Sequence, residues 1–451
     1  MGTHFPCSAP FRCPMFAACM RKTKEEQLSA ENVAGIQERA WAQTFAYVSG
    51  RSPFYREHFR RAGVSPERSL PLSELSAIPP IDKTILSERN DAFLCVPRKK
   101  VIDIVTTSGT TGKPLVTMLT ERDLQRLAYN EYLSFRCAGL TASDTVLIAV
   151  TLDRCFIAGM AYFLGLRMLG CSVIRVGPAT PLMHLDTMRR FSPTAVVGVP
   201  SFLCLLADKA AEEGFALAGA TVRKAVCIGE PVRREDLKPN HAGARIEERW
   251  NARVFSTYGV TELAVSLCEC GAGCGGHLHP ELLFIEALDD QGNPVPDGQV
   301  GELVATTFGV EGMPLVRYRT GDCAAIFRAP CSCGRQTLRI GPIVGRKSQK
   351  LKVKGTTLFP STLKLVLDAA PGVASYVIIA RRETELSDSI EVRIACDGDR
   401  DAIVRSLRER FQGEAKVVPS VVTATPAEID ALQMPDGTRK RRYFVDERSS
   451  Q

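Results

Sequence analysis

A hydroxyl- and glycine-rich stretch near residue 110 holds the residue types best suited to binding phosphate. Its residues, in order, are Thr107, Ser108, Gly109, Thr110, Thr111, Gly112, Lys113 and Pro114. Apolar runs rich in β-branched residues flank the stretch on both sides, so we predict a loop between two strands. Glycines let a ligand approach the backbone closely, and hydroxyls, exposed N–H groups and one lysine together suit a polyphosphate.

The spacing of this stretch excludes the P-loop of nucleoside triphosphatases. That motif has four residues between its glycines and a Ser or Thr after its Lys. Here two residues separate Gly109 from Gly112, and Pro114 follows Lys113. An ordinary surface hairpin is the alternative interpretation of such a short Gly/Ser/Thr stretch.

Three later segments carry groups that complement the rest of a nucleotide. One follows an apolar strand, where exposed backbone can meet the edge of a base. The next offers an aromatic ring that can stack on adenine, a hydroxyl, and a carboxylate that can hold Mg²⁺. The last ends in a carboxylate that can accept two hydrogen bonds from ribose hydroxyls. These segments are Gly229, Glu230 and Pro231; Tyr258, Gly259, Val260, Thr261 and Glu262; and Tyr318 to Asp322.

Taken in order, these segments resemble the adenylate-forming enzymes, which include acyl- and aryl-CoA ligases, firefly luciferase and peptide-synthetase adenylation domains. The order continues with a Gly-Arg pair ending at Arg346 and with Lys440 in a basic C-terminal run, and the resemblance covers roughly residues 40 to 447. The compact length and the runs 313–322, 330–335 and 359–361 are most similar to the phenylacetate–CoA ligase branch.

The resemblance implies an activity. A carboxylic acid, in this branch an aromatic one, would attack the α-phosphate of ATP to give acyl-AMP and pyrophosphate, and coenzyme A would then accept the acyl group. It assigns ATP and Mg²⁺ to the segments above and Arg346, with Lys440, Glu262 and Thr111 as catalytic residues. Delivery of acyl-AMP to a carrier protein, an amine or a reductase is the alternative, and a non-catalytic ATP-binding homologue is a further one.

The resemblance also implies a moving small domain and a pocket for the acid. Relatives pivot at an Asp or Lys after the Gly-Arg pair, whereas this chain has Gln349 there. This departure favours the alternative acceptors. Phe202 and Phe255 are candidate walls of the acid pocket, with packing in the core as the alternative for both.

The elements that must position these residues alternate between apolar strands and helices from residue 101 to about 260. Near-continuous apolar strands indicate a mostly parallel sheet covered by helices, whereas hairpin patterns after residue 262 indicate an antiparallel β portion. Ser201 is a predicted N-cap of one helix. We therefore expect an α/β fold with a disordered extension (1–21), a large N-terminal domain (22–345) and a small α+β C-terminal domain (346–451).

The second half of the chain also holds seven soft metal ligands in two groups. Tetrahedral Zn²⁺ needs four ligands, and two from each group would join two loops. We predict a structural zinc, and a loop of free thiols is the alternative. The predicted ligands are Cys268, Cys274, Cys331 and Cys333, with Cys270 or His279 as substitutes and His277 nearby.

Composition limits the remaining choices. The net charge of +7 comes from residues spread along the chain, and we find no nucleic-acid motif. No apolar run approaches the roughly 20 residues of a membrane span. Sixteen cysteines, mostly single and in apolar surroundings, favour a reducing cytoplasm. We expect a cytoplasmic monomer or homodimer whose partners are small molecules or an acyl-carrier protein.

Overall fold

The computed structural model describes residues 28–68, 70–107, 115–353, 356–384, 387–435 and 441–448. The predicted extension 1–21, the phosphate-loop residues 108–114 and Lys440 lie outside these ranges. The α-helices of the described residues are α1 (Ala30–Arg51), α2 (Pro53–Arg61), α3 (Lys83–Glu88), α4 (Asn90–Phe93), α5 (Glu121–Cys137), α6 (Ile157–Leu169), α7 (Pro181–Phe191), α8 (Pro200–Glu212), α9 (His241–Trp250), α10 (Pro360–Asp368), α11 (Arg400–Arg410) and α12 (Pro426–Gln433).

Strands of the described residues form three larger sheets and two hairpins. They are β1 (Val101–Thr106), β2 (Val116–Thr120), β3 (Thr145–Ile148), β4 (Ser172–Arg175), β5 (Ala195–Gly198), β6 (Lys224–Ile228), β7 (Arg253–Val260), β8 (Val265–Cys268), β9 (Gly276–His277), β10 (Leu283–Leu288), β11 (Val300–Thr307), β12 (Tyr318–Phe327), β13 (Arg339–Ile340), β14 (Gly345–Arg346), β15 (Leu351–Val353), β16 (Thr356–Leu358), β17 (Val373–Thr384), β18 (Ser387–Cys396), β19 (Ser420–Thr423) and β20 (Phe444–Asp446).

The central sheet has the strand order β4-β3-β5-β6-β7-β8. Its first five strands are parallel, and β8 runs antiparallel to β7. Alternate residues of these strands enter two hydrophobic clusters, one on each face of the sheet. One cluster contains Leu147, Val196 and Trp250, and the other contains Val146 and Phe255. The prediction of a parallel sheet covered on both faces is confirmed, because strands buried on both sides are apolar throughout.

A second sheet is antiparallel, with the order β10-β11-β12-β13-β9 and with β14 paired to β12. Its inner face packs against α1 and α2, which bury Trp41 and Tyr55 in the largest hydrophobic cluster. Ser52 separates the two helices. It ends α1 and caps α2 by accepting a hydrogen bond from the backbone N–H of Tyr55. The prediction of an antiparallel β portion after residue 262 is thus confirmed.

The C-terminal part forms a mixed sheet of its own, in the order β19-β18-β17-β20. β17 and β18 are antiparallel, whereas β19 and β20 join the edges in parallel. Helices α10 and α11 help to bury this sheet around Leu363 and Phe411. The α+β character expected for this part is therefore present. Among the described residues, no helix combines the length and the apolarity needed to cross a bilayer.

Candidate active site

The predicted phosphate loop joins the two strands of an antiparallel hairpin, β1 and β2. At its root, the Thr107 backbone N–H donates to the Leu115 carbonyl at 3.0 Å, and the Leu115 N–H donates to Thr107 Oγ1 at 3.2 Å. Val105 shares a small hydrophobic cluster with Ala264. Since Ala264 lies two residues after Glu262, this packing brings the loop root close to the predicted Mg²⁺ ligand. Residues 108–113 lie outside the described ranges, so their roles stay predictions.

Glu262 lies in a 3₁₀ turn, Thr261–Leu263, directly after β7. The Tyr318 hydroxyl donates to Glu262 Oε1 at 3.2 Å. The turn closes at Ala264, whose φ of 48° is left-handed, and the Arg126 Nη1 group donates to the Ala264 carbonyl at 3.1 Å. Arg126 thus fixes the backbone that carries Glu262.

Arg126 is fully buried and has no carboxylate among its hydrogen-bond partners within the described structure. Its remaining strong bonds go to the carbonyls of Phe308 at 2.7 Å and Leu282 at 2.8 Å. Burial lowers the pKa of Arg126 to about 10. The role of Arg126 is not visible in the sequence. A single arginine within an amphipathic helix gives no sign that it points inward to backbone carbonyls from other segments.

Asp322 is the second carboxylate of the site and lies on β12. The Tyr258 hydroxyl donates to Asp322 Oδ2 at 3.0 Å, and Arg346 Nε lies 3.5 Å from Asp322 Oδ1. β14 holds Arg346 in register opposite Asp322. Burial raises the pKa of Asp322 from its ordinary value, although Arg346 and the Tyr258 hydroxyl act in the opposite direction. The structure therefore brings together three residues that the sequence analysis assigned to one nucleotide.

The Gly229–Glu230–Pro231 loop follows β6, which is parallel to β7. Gly229 has φ of 75°, a conformation that favours glycine. Glu230 accepts hydrogen bonds from the Ser201 N–H at 2.9 Å and from Ser201 Oγ at 2.8 Å. Ser201 was predicted as an N-cap, and that prediction is wrong. α8 begins at Pro200 without a side-chain cap, and the Ser201 hydroxyl bonds Glu230 instead.

Tyr443 lies three residues after Lys440, and Lys364 Nζ of α10 lies 5.0 Å from the centroid of its ring. Burial raises the pKa of the Tyr443 hydroxyl, Glu230 raises it further, and Arg346 lowers it. The position of Lys440 itself stays a prediction.

Phe202 and Phe255 do not form one acid pocket. Phe255 is buried in the cluster on one face of the central sheet, whereas Phe202 packs against the cluster on the other face. The Phe202 ring meets the His184 ring edge to face, with centroids 4.9 Å apart. The two side chains therefore lie on opposite sides of the sheet, and core packing accounts for Phe255.

A cluster of soft ligands lies between the loop after β8 and the loop before β13. One ligand atom from each of four residues lies within 4.8 Å of the others, and these residues are Cys270, His277, Cys331 and Cys333. Cys270 Sγ lies 3.6 Å from Cys331 Sγ, and His277 Nε2 lies 3.6 Å from Cys333 Sγ. Cys274 Sγ contacts Cys331 Sγ at 3.3 Å from the side.

This ligand set differs from the predicted one in two positions. Cys331 and Cys333 belong to it, but Cys268 does not, because β8 extends through Cys268 and the Thr257 hydroxyl donates to its sulfur at 3.2 Å. The alternate Cys270 takes its place, and His277 takes the place of Cys274. His279, the other alternate, is turned away and contacts the Ser134 hydroxyl through Nε2 at 3.2 Å.

The protonation states of His277 and Cys331 suit a cation, whereas burial raises the pKa of the Cys270 thiol. Burial, with help from Arg335 and Arg339, lowers the pKa of His277 to about 3, so its ring is neutral. Burial alone would raise the pKa of Cys331, but the Cys333 N–H and the neighbouring thiols lower it to about 7. His277 Nδ1 contacts Thr337 Oγ1 at 3.2 Å. Because Thr337 binds Nδ1, Nε2 faces the sulfurs. In metal sites, a hydrogen-bond partner on the other ring nitrogen orients a histidine ligand in the same way.

Comparisons with known proteins identify the family of this chain. Residues 57–311 match the model of the AMP-binding enzyme family. The phenylacetate–coenzyme A ligase of Thermus thermophilus is 32% identical over 381 residues, covering 83% of this chain and 84% of the relative. The phenylacetate–coenzyme A ligase of Pseudomonas putida is 28% identical over 411 residues, covering 89% and 88%.

Solved structures show the same fold. A 2-hydroxyisobutyryl-CoA ligase in its postadenylation state, bound to 2-HIB-AMP, matches with a TM-score of 0.81 at 21% identity over 95% of this chain and 92% of that chain. The same ligase with CoA in its thioesterification state gives 0.68 over 94% and 92%. From the family match and the identity to these relatives, the chain belongs to the AMP-binding enzyme family as an AMP-forming acid–coenzyme A ligase of the phenylacetate–coenzyme A ligase group.

Proposed function

We propose that this ligase activates an aromatic carboxylic acid as its acyl-AMP and transfers the acyl group to coenzyme A. The observation that carries the proposal is the convergence of Tyr258, Asp322 and Arg346 in a chain whose relatives, at 28–32% identity, are phenylacetate–coenzyme A ligases. Asp322 would bind the ribose hydroxyls, and the Gly229–Pro231 loop would meet the adenine.

The chemical obstacle is charge, because a carboxylate must approach the α-phosphate of a polyanion. We assign to Lys113 and the loop amides the binding of the β- and γ-phosphates. Glu262 would hold Mg²⁺, which neutralises further charge when it is bound. Lys440 would lie between the attacking carboxylate and the α-phosphate, where negative charge is shared in the transition state. Thr111 would position the phosphates beside Lys440.

The acid and the acceptor require a direct test. ATP–pyrophosphate exchange should be measured across a panel of aromatic and aliphatic acids, with and without coenzyme A, while thioester formation is followed. We expect exchange with an aryl acid and thioester with CoA. Exchange without thioester would favour another acceptor, such as a carrier protein, an amine or a reductase, which Gln349 at the pivot position also favours. Binding of ATP without any exchange would contradict the proposal.

We also propose that the small domain begins near Arg346 and turns about Gln349. Two chemical steps on one adenylate require different groups next to it, and rotation of a domain supplies them in turn. The higher TM-score with the postadenylation state than with the thioesterification state of one relative supports an arrangement suited to the first step.

A structural zinc at Cys270, His277, Cys331 and Cys333 forms a separate part of the proposal. Tetrahedral zinc with Zn–S bonds of about 2.3 Å keeps its sulfurs about 3.8 Å apart, and Cys270 Sγ and Cys331 Sγ are 3.6 Å apart. Three sulfurs and one neutral imidazole form a common structural donor set. The thirteen cysteines among the described residues are all free, which suits a reducing compartment such as the cytoplasm.

Metal analysis of paired cysteine variants tests the zinc site. We expect about one zinc per chain in the wild type, loss of zinc in Cys333→Ser, and retention of zinc in Cys268→Ser, because Cys268 bonds Thr257 instead. Loss of zinc from both Cys333→Ser and Cys268→Ser would restore the ligand set predicted from the sequence, because that set contains both residues. A wild type that binds no zinc would contradict the site.

A further inference from the structure

A buried ion pair joins the cysteine and histidine cluster to the Gly229–Pro231 loop. Arg233 Nε lies 3.0 Å from each carboxylate oxygen of Glu269, and Arg233 Nη2 donates to Glu269 Oε1 at 2.6 Å. The two side chains are 10% and 1% exposed. Arg233 lies two residues after Pro231, and Glu269 directly precedes Cys270.

On the side of the cluster, the loop after β8 encloses the guanidinium. Glu269 is held in place because its N–H donates to the Ser256 carbonyl at 3.0 Å. Gly273 lies against the guanidinium so closely that a Cβ built there would be 3.0 Å from Arg233 Nη2, and its φ of 64° also favours glycine. Gly273 directly precedes Cys274, so both ends of this short loop contact Arg233.

On the nucleotide side, Arg233 continues a loop that is held by hydrogen bonds from two helices. Ser201 of α8 bonds the Glu230 carboxylate. Asn240, which caps α9, donates through Nδ2 to the Pro231 carbonyl at 2.7 Å. Arg233 Nη2 also donates to the Val254 carbonyl of β7 at 3.2 Å. Of these anchors, the Arg233 side chain is the one that depends on the loop carrying Cys270 and Cys274.

We infer that the Arg233–Glu269 pair couples metal occupancy of the cluster to nucleotide affinity, with Arg233 as a positioning residue for the Gly229–Pro231 loop. The inference rests on the proposed nucleotide role of that loop. Zinc at Cys270 fixes the chain at Glu269, and the fixed carboxylate holds the guanidinium and the loop behind it. Loss of the metal leaves the Glu269 backbone held on the Ser256 side alone, so the loop samples more positions that bind the base less well.

Two readouts separate this coupling from a merely structural role. The first is ATP affinity, without acid, of full-length protein loaded with Zn²⁺ and of protein stripped by a chelator. The second is hydrogen exchange in the segment 229–234, which needs no nucleotide. We expect stripping to weaken ATP binding about tenfold, within the usual range of coupling between sites, and to raise exchange in this segment.

Glu269→Gln provides the decisive comparison, since it removes the charge and keeps the shape. In this variant, we expect weak ATP binding and high exchange even with zinc bound, and little further change on stripping. The control is Asp144→Asn, because Asp144 pairs with Lys224 at the opposite end of β6, 2.9 Å away. It should behave like the wild type in both readouts.

Independent, additive effects of Glu269→Gln and of zinc removal on ATP affinity would overturn the coupling. A wild type that takes up no zinc, or whose hydrogen exchange in 229–234 does not change with zinc, would overturn it as well. If exchange in 229–234 responds to zinc but no form of the protein binds ATP, the nucleotide role of the loop fails instead. The two failures are therefore distinguishable.

Discussion

Asp322 offers the most direct single-residue test of the candidate site, because it faces both Tyr258 and Arg346. Asp322→Asn should weaken ATP binding at least about tenfold, since hydrogen bonds to a charged acceptor contribute roughly 1.5–3 kcal/mol each. Equilibrium binding measures the effect. Asp208→Asn, which removes the partner of Arg245 on the outer helices, should bind ATP normally, and equal affinities in the two variants would contradict the ribose role.

Glu131 gives a pH-dependent prediction about stability. Burial raises its pKa to about 7 against the hydrogen bonds from Ser266 and Asn130. A raised carboxyl pKa favours the folded state fully below the unfolded pKa near 4.3, and this contribution is lost as pH rises towards 7. Between pH 5 and pH 8, the free energy of unfolding of the wild type should therefore fall by about 2 kcal/mol relative to Glu131→Gln.

Urea denaturation of both proteins at the two pH values measures this difference. Glu121→Gln serves as the control, because Glu121 lies on the same helix, α5, with its side chain exposed. That variant should follow the wild type across the range. A constant difference between the wild type and Glu131→Gln would show that Glu131 does not change its protonation in the folded state.

At the scale of elements, the residues next to Gln349 form polar contacts with both domains. Lys350 Nζ contacts Asp290 of the large domain at 2.8 Å. From the small domain, Arg448 donates to the carbonyls of Ser348 at 2.9 Å and of Lys350 at 2.7 Å. The rotation about Gln349 proposed above would break the contact between Lys350 and Asp290, whereas Lys347, whose Nζ lies 3.6 Å from Asp290 Oδ1, precedes the proposed pivot.

Asp290→Asn should therefore favour the second step. We expect the single-turnover rate of thioester formation to rise about two- to fivefold, consistent with a partly exposed ion pair of up to 1 kcal/mol, while acyl-AMP formation is unchanged or slower. Asp297→Asn, in the same connection between β10 and β11 but paired with Arg328, is the control. A thioester rate that does not respond would argue against a pivot at Gln349.

Much of this element structure could be predicted from the sequence. Fully apolar runs correctly indicated the parallel strands, and the predicted alternation of strands and helices is present, with α6 (Ile157–Leu169) between β3 and β4. The wrong predictions, such as the Ser201 N-cap and the Cys268 zinc ligand, concern residues at the boundary of a helix or strand. The direction of such a side chain depends on the exact residue at which the element begins or ends. Cys268 is the last residue of β8 and Cys270 lies beyond it, and such a boundary is not visible in the spacing of cysteines. Contacts between distant segments, such as those of Arg126, leave no local pattern at all.

At the scale of the whole molecule, Lys440 tests whether the small domain contributes a catalytic residue to adenylation but not to thioester formation. Lys440→Ala should lower ATP–pyrophosphate exchange by about a hundredfold or more, by analogy with the loss of other groups that stabilise transition-state charge. ATP affinity should change little, and thioester formation from supplied acyl-AMP should persist, because another face of the small domain would serve that step.

The neighbouring Arg441 is a matched control for this variant. It belongs to the same basic run but forms an ion pair with Asp430 at 2.7 Å. Arg441→Ala should keep most of the exchange activity. If both variants lose exchange equally, the run acts through its total charge, and Lys440 has no distinct role.

The positions of the tryptophan side chains have a practical consequence for fluorescence spectroscopy of the protein. The chain has two tryptophans, Trp41 and Trp250, and each is fully buried in a different hydrophobic cluster of the large domain. Their emission should therefore shift to longer wavelengths when either cluster opens to water. The small domain contributes no indole, so tryptophan emission would not report directly on its unfolding or rotation, and a fluorophore introduced on that domain would make these changes visible.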